Sequence, residues 1–197
     1  MENREKEINA DFASLTNFVA SLIRNEMLLN PASNFIPQIY PNGDFLVQIE
    51  YIMRKNLALP TEGLSSTSAH LMEGTAISPA DAVRCLRDYI RTSRFITAVY
   101  KAIVDLKAKF PGEKIRILDA GCGPWALLSV TTASQFDPGD VEYNLIDMHD
   151  SSIKCCREII GNLGMEAYFN KFIVGDICRI DLSEQMGKNP QLLLQKS

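Results

Sequence analysis

The stretch IRILDAGCGPWALL, residues 115–128, decides the fold of this 197-residue chain. It opens with an apolar run of β type that ends at Asp119, and Gly121 and Gly123 follow immediately. A helical pattern then covers residues 125–136. The order of strand, glycine turn and helix is the beginning of a unit in which a helix connects two parallel strands.

Two more strands follow the same pattern toward the end of the chain. One is predicted at 141–146 and closes on Asp147, and the other is predicted at 168–174 and closes on Asp176. A helix is predicted between them at 151–163. Strands that alternate with helices of this length predict right-handed crossovers and a parallel sheet, so the expected fold class is α/β and Rossmann-like.

The part of the chain before this sheet predicts helices without recognisable chemistry. An apolar stripe at helical spacing covers residues 5–29, a second helix is predicted at 44–57, and a stretch rich in Ser, Thr and Gly at 60–68 predicts a loop. We therefore divide the chain into an N-terminal helical region at 1–75 and a Rossmann-like domain at 76–197.

A third helix has the clearest start signal in the chain. Ser78 can cap it, a proline follows at the first helical position, and Asp81 can pair with the cap. Its apolar face continues to Phe110. We expect an interruption near Thr92 and Ser93, because hydroxyl side chains compete for backbone hydrogen bonds.

Composition and charge exclude several classes of protein. The chain is 46% hydrophobic and 22% charged, which is typical of a folded globular protein and not of a disordered one. Its net charge of −4 provides no basic surface for nucleic acid or an anionic membrane, so neither is expected as a partner. The five cysteines form no CxxC pair, and neither a secretion signal nor a membrane-spanning segment is recognised. We therefore expect a cytoplasmic protein, and its two isolated histidines predict no metal site of the structural zinc type.

The predicted strand ends bring polar groups to one edge of the sheet. Ligands of open parallel sheets bind beyond the carboxyl ends of the strands, where the strand order reverses. Gly121 and Gly123 remove side chains at this edge, so a ligand can approach the backbone. Asp147 ends the second strand, where a carboxylate can accept two hydrogen bonds from the hydroxyls of a ribose.

Two nucleoside ligands fit this spacing. The sequence GCGPWA at 121–126 also matches the G-x-G-x-x-A pattern of dinucleotide-binding folds, so NAD stays open. The carboxylate of Asp119 repels a pyrophosphate, whereas a ligand with an ammonium and a sulfonium group gains from the same charge. The residues therefore favour S-adenosylmethionine over NAD.

The three strand ends together resemble a known family. IRILDAGCGPWALL, YNLIDMHD at 143–150 and FIVGDI at 172–177 are similar to the cofactor-binding half of class I S-adenosylmethionine-dependent methyltransferases, over about residues 78–178. The resemblance implies S-adenosylmethionine as the cofactor. It also implies transfer of the methyl group to a small-molecule or protein acceptor that the sequence does not identify.

The same resemblance assigns the cofactor-binding residues. The glycine loop would hold the methionine part, the acid after the second strand would hold the ribose, and the acid after the third strand would contact the adenine with its neighbour. The residue after the ribose acid would pack on the adenine face, and a basic residue of the preceding helix would bind the cofactor carboxylate. The loop role falls to Asp119, Gly121, Cys122 and Gly123, and the ribose role to Asp147. Asp176 and Ile177 would contact the adenine, Met148 would pack on its face, and Arg91 would bind the carboxylate. Where the family has a third loop glycine, this chain has Trp125.

Simpler structural roles compete with several of these assignments. Surface arginines commonly form ion pairs, which is the alternative for Arg91. No base is placed beside Cys122 by the sequence, so a small residue that fills the loop is the alternative to a nucleophile. His149 is a candidate general base, but a lone loop histidine more often makes only a polar contact. No catalytic base is therefore assigned.

The predicted sheet is incomplete for this family. Three strands are predicted, and the apolar run at 191–195 is either a fourth strand or a helix, so the fold looks truncated and the acceptor-binding residues are not identified. An apolar sheet edge is expected at 115–118. Either residues 1–110 fold over it, or another chain pairs with it, or the sequence is a fragment of a longer protein. We expect self-association or a partner chain at this edge. The alternatives to a methyltransferase are a fragment of an NAD(P)-binding oxidoreductase and a non-catalytic interaction module that retains the fold.

Overall fold

A computed structural model describes residues 2–28, 42–57, 64, 66–67, 69–71, 74–76, 78–181 and 190–195. Within these residues, six α-helices and six β-strands follow one another along the chain. They are α1 (Glu2–Leu28), α2 (Gly43–Lys55), β1 (Ala69–Leu71), β2 (Gly74–Ala76), α3 (Pro79–Arg84), α4 (Tyr89–Lys109), β3 (Ile115–Ala120), α5 (Leu127–Ala133), β4 (Val141–Asp147), α6 (Asp150–Asn162), β5 (Phe169–Val174) and β6 (Leu192–Gln195). None of the helices in this part of the chain is long and apolar enough to cross a membrane.

The main sheet has four strands in the order β5, β4, β3, β6, and all of its pairings are parallel. The register places Ile115 opposite Val141 and Asp147 opposite Val174. The α/β class and the parallel sheet are therefore confirmed, and the arrangement is Rossmann-like.

The main sheet has four strands and not about three, because the run near the end of the chain, for which a strand and a helix were both open, forms the fourth strand. β6 pairs with β3 from Ile117 opposite Leu192 to Ala120 opposite Gln195. The edge expected at residues 115–118 is consequently covered. Among the described strands, β6 is the edge on this side of the sheet, and the side chain of Leu193 on it is half exposed. Self-association or partner binding through a sheet edge stays a prediction, and it now concerns β6.

A short hairpin precedes the main sheet and was not expected. β1 and β2 pair antiparallel, with His70 opposite Thr75. Of the loop predicted at 60–68, the structure describes only residues 64, 66 and 67. The division of the chain near residue 75 stays a prediction.

The N-terminal helices bury the apolar stripe that the sequence predicts. On α1 the buried side chains are Leu15, Val19, Leu22 and Ile23, and α2 contributes Leu46, Ile49, Ile52 and Met53. These side chains belong to the same hydrophobic core as Ile115, Ile117, Tyr143 and Leu145, which alternate along one face of β3 and β4. The N-terminal helices therefore share one hydrophobic core with this face of the sheet.

The predicted third helix is interrupted at Asp88, so the interruption expected at Thr92 and Ser93 is misplaced. After α3 a single 3₁₀ turn covers Cys85–Arg87, and the Asp88 carboxylate then caps α4 by accepting from the amide of Arg91. Thr92 lies inside α4, and its hydroxyl donates to the carbonyls of that turn. The hydroxyl therefore joins the two helices, and the break falls before it.

The cap of α3 provides a prediction about the pH dependence of stability. Ser78 Oγ accepts from the Asp81 amide at 3.2 Å and donates to Asp81 Oδ2 at 2.7 Å. This hydrogen bond, and a second from Arg84, lower the pKa of Asp81. Because the pKa is lowered on folding, the contribution to stability is present above about pH 4 and is lost as the pH falls below it.

We therefore expect Asp81→Asn to lower the urea midpoint of unfolding at pH 7, because the variant lacks the charged acceptor. The difference in urea midpoint between the variant and the original protein should narrow as the pH falls from about 5 to about 3. Urea titrations of both proteins at several pH values measure this difference, and a difference that widens at low pH would contradict the prediction.

Candidate functional site

The segment between β3 and α5, residues 121–126, lies at the carboxyl end of the sheet. We refer to it as the glycine loop. The chain continues from β3 to β4 on one side, whereas β6 pairs with β3 on the other side. β3 is therefore the strand at which the order reverses, and crevices at such positions are where open α/β sheets bind ligands.

The two loop glycines have the same backbone conformation but different surroundings. Gly121 has φ of +73° and Gly123 has φ of +69°, a region that other residues rarely adopt. A side chain added at Gly121 would meet no atom within 4 Å, and this residue is exposed. One added at Gly123 would lie 3.5 Å from Cβ of Ala82 on α3. Gly121 therefore faces the open side of the loop, while α3 packs against its inner side.

The first loop amides all donate to the end of β4. Gly121 N and Cys122 N donate to the carbonyl of Ile146 at 2.8 and 3.1 Å. Gly123 N donates to Asp147 Oδ2 at 2.8 Å. The next residue, Pro124, has no amide hydrogen. The glycine loop is thus fixed to β4 through its own amides, which are not directed to the open side.

Asp147 connects the glycine loop with the turn after β4. Its carboxylate is nine-tenths buried, and Oδ1 accepts from the amide of His149 at 2.9 Å and lies 3.3 Å from Nδ1 of the same residue. Each carboxylate oxygen has more than one lone pair, so these contacts leave capacity for hydroxyl donors. The sequence prediction that Asp147 stands beside the loop is consistent with this geometry, and His149 makes the polar contact that was its simpler interpretation.

Asp119 lies beneath the glycine loop and is fully buried. Its Oδ2 accepts from Ser129 Oγ on α5 at 2.7 Å. No group in the described part of the chain donates to Oδ1. Burial raises the pKa of the neighbouring Tyr143, and the negative charge of Asp119 acts in the same direction. Ser129 therefore fixes the orientation of the carboxyl group under the loop.

The end of β5 adjoins the end of β4, as the predicted sheet requires. Gly175 N donates to the Asp147 carbonyl at 3.0 Å. The next residue, Asp176, accepts from the amide of Cys178 at 3.0 Å, and its other oxygen lies 3.5 Å from Arg179 Nε. Met148 and Ile177, which follow the two acids, are partly buried. These four predicted site residues therefore lie at two neighbouring strand ends.

Arg91 makes a local contact on α4. Its side chain is half exposed, and Nε lies 3.4 Å from Asp88 Oδ2. This is the ion pair that was the simpler interpretation of Arg91, and no contact links it to the glycine loop among the interactions of the described residues. Its proposed contact with a ligand carboxylate stays a prediction.

Sequence reasoning missed several neighbours of the glycine loop. Among them are Ser129 below it, Ala82 against its inner side, Cys156 behind it, and Arg54, whose guanidinium carbon lies 5.3 Å from the ring centre of Trp125. Ser129 lies in the first turn of the helix after the loop, so its nearness to Asp119 has a local signal. Arg54 and Ala82 have none, because they come from helices that are distant in the sequence.

Two buried thiols lie behind the glycine loop. Cys122 Sγ is 3.9 Å from Cys156 Sγ, and Cys156 Sγ donates to the carbonyl of Gly123 at 3.0 Å. The hydrogen bond with Cys156, together with burial, raises the pKa of Cys122 well above its usual value. Because the thiolate is the nucleophile, Cys122 is a packing residue of the loop and not a reactive one.

We expect iodoacetamide to alkylate Cys178, which is exposed, in the folded protein at neutral pH. Cys122 and Cys156 should react only after denaturant is added. Peptide mass spectrometry after brief labelling distinguishes the three thiols. Alkylation of Cys122 as fast as that of Cys178 would show that the glycine loop opens readily or that the thiol is accessible.

A separate polar cleft of about 160 Å³ lies between α1, the end of α2 and the end of α6. Three of its charged groups pair with one another, since Lys55 Nζ lies 3.0 Å from Asp11 and 3.1 Å from Glu7, and Arg4 donates to Asn162 Oδ1 at 3.2 Å. The hydrogen bonds of Lys55 with the two acids raise its pKa, the one with Asp11 most strongly. The cleft is lined by the C-terminal end of α6, which points away from the glycine loop.

Comparison with known proteins finds no matching family model, no matching curated protein and no matching solved structure. The function of the chain is therefore inferred from the residues of this site.

Proposed function

We propose that the glycine loop binds S-adenosylmethionine and that the chain is an S-adenosylmethionine-dependent methyltransferase or the cofactor-binding portion of one. The observation that carries this proposal is the direction of the loop amides. All three amides at residues 121–123 donate to β4, and one of them donates to the acid Asp147. A ligand on the open side of the loop therefore meets backbone without free amide donors from these residues, with carboxylates close by.

This arrangement favours a cationic nucleoside over a dinucleotide. A pyrophosphate is bound by free loop amides and by the start of a long helix. Here α5 has only seven residues and begins after Ala126, whose backbone is left-handed. Asp119 and Asp147 would also repel the phosphates. The ammonium and sulfonium groups of S-adenosylmethionine gain from the same two charges.

In this proposal, different residues of the site bind different parts of the ligand. Gly121 leaves room for the methionine part on the open side of the loop, and Asp147 accepts hydrogen bonds from the ribose hydroxyls. Met148 and Ile177 provide partly buried apolar contacts for the adenine, and Asp176 accepts from its amino group. Gly121 thus provides access, and the acids provide orientation.

The bound cofactor would supply an activated methyl group on a sulfonium. The protein's own contribution is to hold this group in position and to exclude water, since attack by an oxygen, nitrogen or carbon nucleophile depends on alignment. None of the residues of this site is assigned to the binding of the methyl acceptor.

Isothermal titration calorimetry with S-adenosylmethionine, S-adenosylhomocysteine and NAD tests the proposal. We expect the first two to bind with one site per chain and NAD to show no saturable heat. Saturable binding of NAD alone would instead support an oxidoreductase fragment. Binding of none of the three would leave a non-catalytic interaction module as the better account.

A further inference from the structure

Trp125, the single tryptophan of the chain, closes the glycine loop against the N-terminal helical region. Its side chain is only 3% exposed. The guanidinium of Arg54, near the end of α2, lies over the ring with its central carbon 5.3 Å from the ring centre. This distance is within the range of a cation–π interaction, in which the ring is buried and the Arg54 side chain is 37% exposed.

Arg54 is held in this position from its other side. Both Nε and Nη2 of Arg54 donate to Glu50 Oε1, at 2.9 and 2.8 Å. The Glu50 side chain is 14% exposed, and Nη2 of Arg87 lies 3.7 Å from the same oxygen. A planar guanidinium that is hydrogen-bonded to a carboxylate and lies over a ring loses much of its freedom, so the contact can transmit the position of α2 to the loop.

The loop needs such support directly after Trp125. Ala126 has φ of +41° and is the one non-glycine residue with positive φ in the described part of the chain. This conformation is unfavourable for alanine and persists only where the surroundings impose it. The amide of Ala126 donates to the carbonyl of Gly123 at 3.3 Å, which is a weak local restraint. Ala126 is itself fully buried, its carbonyl accepts from the Val130 amide at 2.8 Å, and the indole ring of the preceding residue is buried beside it, so the packing around both residues holds this end of the loop.

We propose that Arg54 is a positioning residue for ligand binding: through Trp125 it holds the glycine loop in the conformation that accepts the nucleoside. The inference rests on the proposed function for the identity of the ligand. It adds that the N-terminal helical region is part of the binding unit, because one of its side chains fixes the loop without touching the ligand.

Because Trp125 is the single tryptophan, its fluorescence reports on the contact with Arg54 without any ligand. In Arg54→Met the apolar stem is kept and the guanidinium is lost, so acrylamide should quench Trp125 fluorescence more efficiently than in the original protein. The matched control is Arg94→Met on α4, which removes the same charge from an exposed side chain that pairs with Glu26 at 3.5 Å. Quenching in this control should be unchanged.

Calorimetry with S-adenosylhomocysteine then tests the positioning role. We expect Arg54→Met to bind it about tenfold more weakly, Arg54→Lys to recover part of the affinity, and Arg94→Met to bind within about twofold of the original protein. Thermal melting shows that each variant is folded, and the Arg54→Lys variant serves if Arg54→Met is not.

Two results would overturn this role. One is equal quenching and equal affinity in the Arg54 and Arg94 variants. The other is increased quenching without weaker binding, because the contact would then stabilise the fold alone. If the original protein does not bind S-adenosylhomocysteine, the proposed function itself fails, and the ligand role of Arg54 fails with it.

Discussion

Replacing Asp147 by alanine is expected to weaken the binding of S-adenosylhomocysteine by at least about 100-fold. The carboxylate would accept two hydrogen bonds from the ribose, and hydrogen bonds to charged groups contribute about 1.5–3 kcal/mol each. The substitution also removes the acceptor of the Gly123 amide, so the loop loses one of its three hydrogen bonds to β4. Leaving this buried donor without a partner should lower the free energy of unfolding by about 1–3 kcal/mol. Calorimetry and urea unfolding measure the two effects.

Asp150→Ala is the matched control for this variant. It removes a carboxylate from the same turn, but Asp150 is exposed and pairs only with Lys154 among the ion pairs of the described residues. Its affinity for S-adenosylhomocysteine should therefore stay within about twofold of the original protein. If the alanine variant at Asp147 does not fold, Asp147→Asn keeps one oxygen for the Gly123 amide and still removes the charge. Equal affinity in the Asp147 and Asp150 variants would contradict the assignment of Asp147.

Substitution of the two loop glycines by alanine is the second prediction with a large effect, and the two variants form a matched pair. Gly121→Ala and Gly123→Ala both place a methyl group on a left-handed backbone, so each should lower the free energy of unfolding by about 1–2 kcal/mol. Their positions differ, because only the methyl at Gly121 projects into open space at the carboxyl edge. We therefore expect Gly121→Ala to weaken S-adenosylhomocysteine binding at least about tenfold and Gly123→Ala to change it by about threefold or less.

Urea unfolding and calorimetry on the same preparations separate the two contributions. Similar losses of stability with a much larger loss of affinity for Gly121→Ala would support a ligand on the open side of the loop. If Gly123→Ala weakens binding more than Gly121→Ala does, the ligand does not approach the backbone at Gly121, and the proposed position is wrong.

The sheet was predictable because its local signals agree with its global arrangement. The apolar run before Asp119, the glycine turn and the helix after it define one βαβ unit, and right-handed crossovers then leave few arrangements. β3, β4 and β5 therefore lie where the sequence predicts strands. The fourth strand was ambiguous because a run of three leucines at 192–194 suits a helix as well as a strand. Pairing with β3 decides between them, and no local pattern reports that pairing.

The position of the helix break shows a different limit. The hydroxyls of Thr92 and Ser93 suggested an interruption, but tertiary contacts satisfy both of them inside α4. Thr92 donates to the preceding 3₁₀ turn, and Ser93 donates to Glu26 on α1 at 2.9 Å. The break occurs at Asp88, whose carboxylate is the cap. Propensity alone could not distinguish a hydroxyl that competes with the helix from one that joins it to a neighbour.

The candidate site was predictable where it is made from strand ends, and not where distant helices complete it. Asp147 and the glycines are placed by the topology, so their spacing in the sequence is sufficient. The sequence did not indicate that the loop amides donate to β4, because this depends on the turn geometry. Nor did it indicate that Arg54 covers Trp125, since a cation–π contact between residues far apart leaves no pattern in a single sequence.

The most direct test of the central claim is a crystal structure of the chain with S-adenosylhomocysteine. We predict that the ribose hydroxyls lie within hydrogen-bonding distance of Asp147 and that the amino acid part lies against the open side of Gly121. The amides at residues 121–123 should still donate to β4. A ligand bound in the polar cleft between α1, α2 and α6, or a glycine loop whose amides have turned away from β4, would contradict the account.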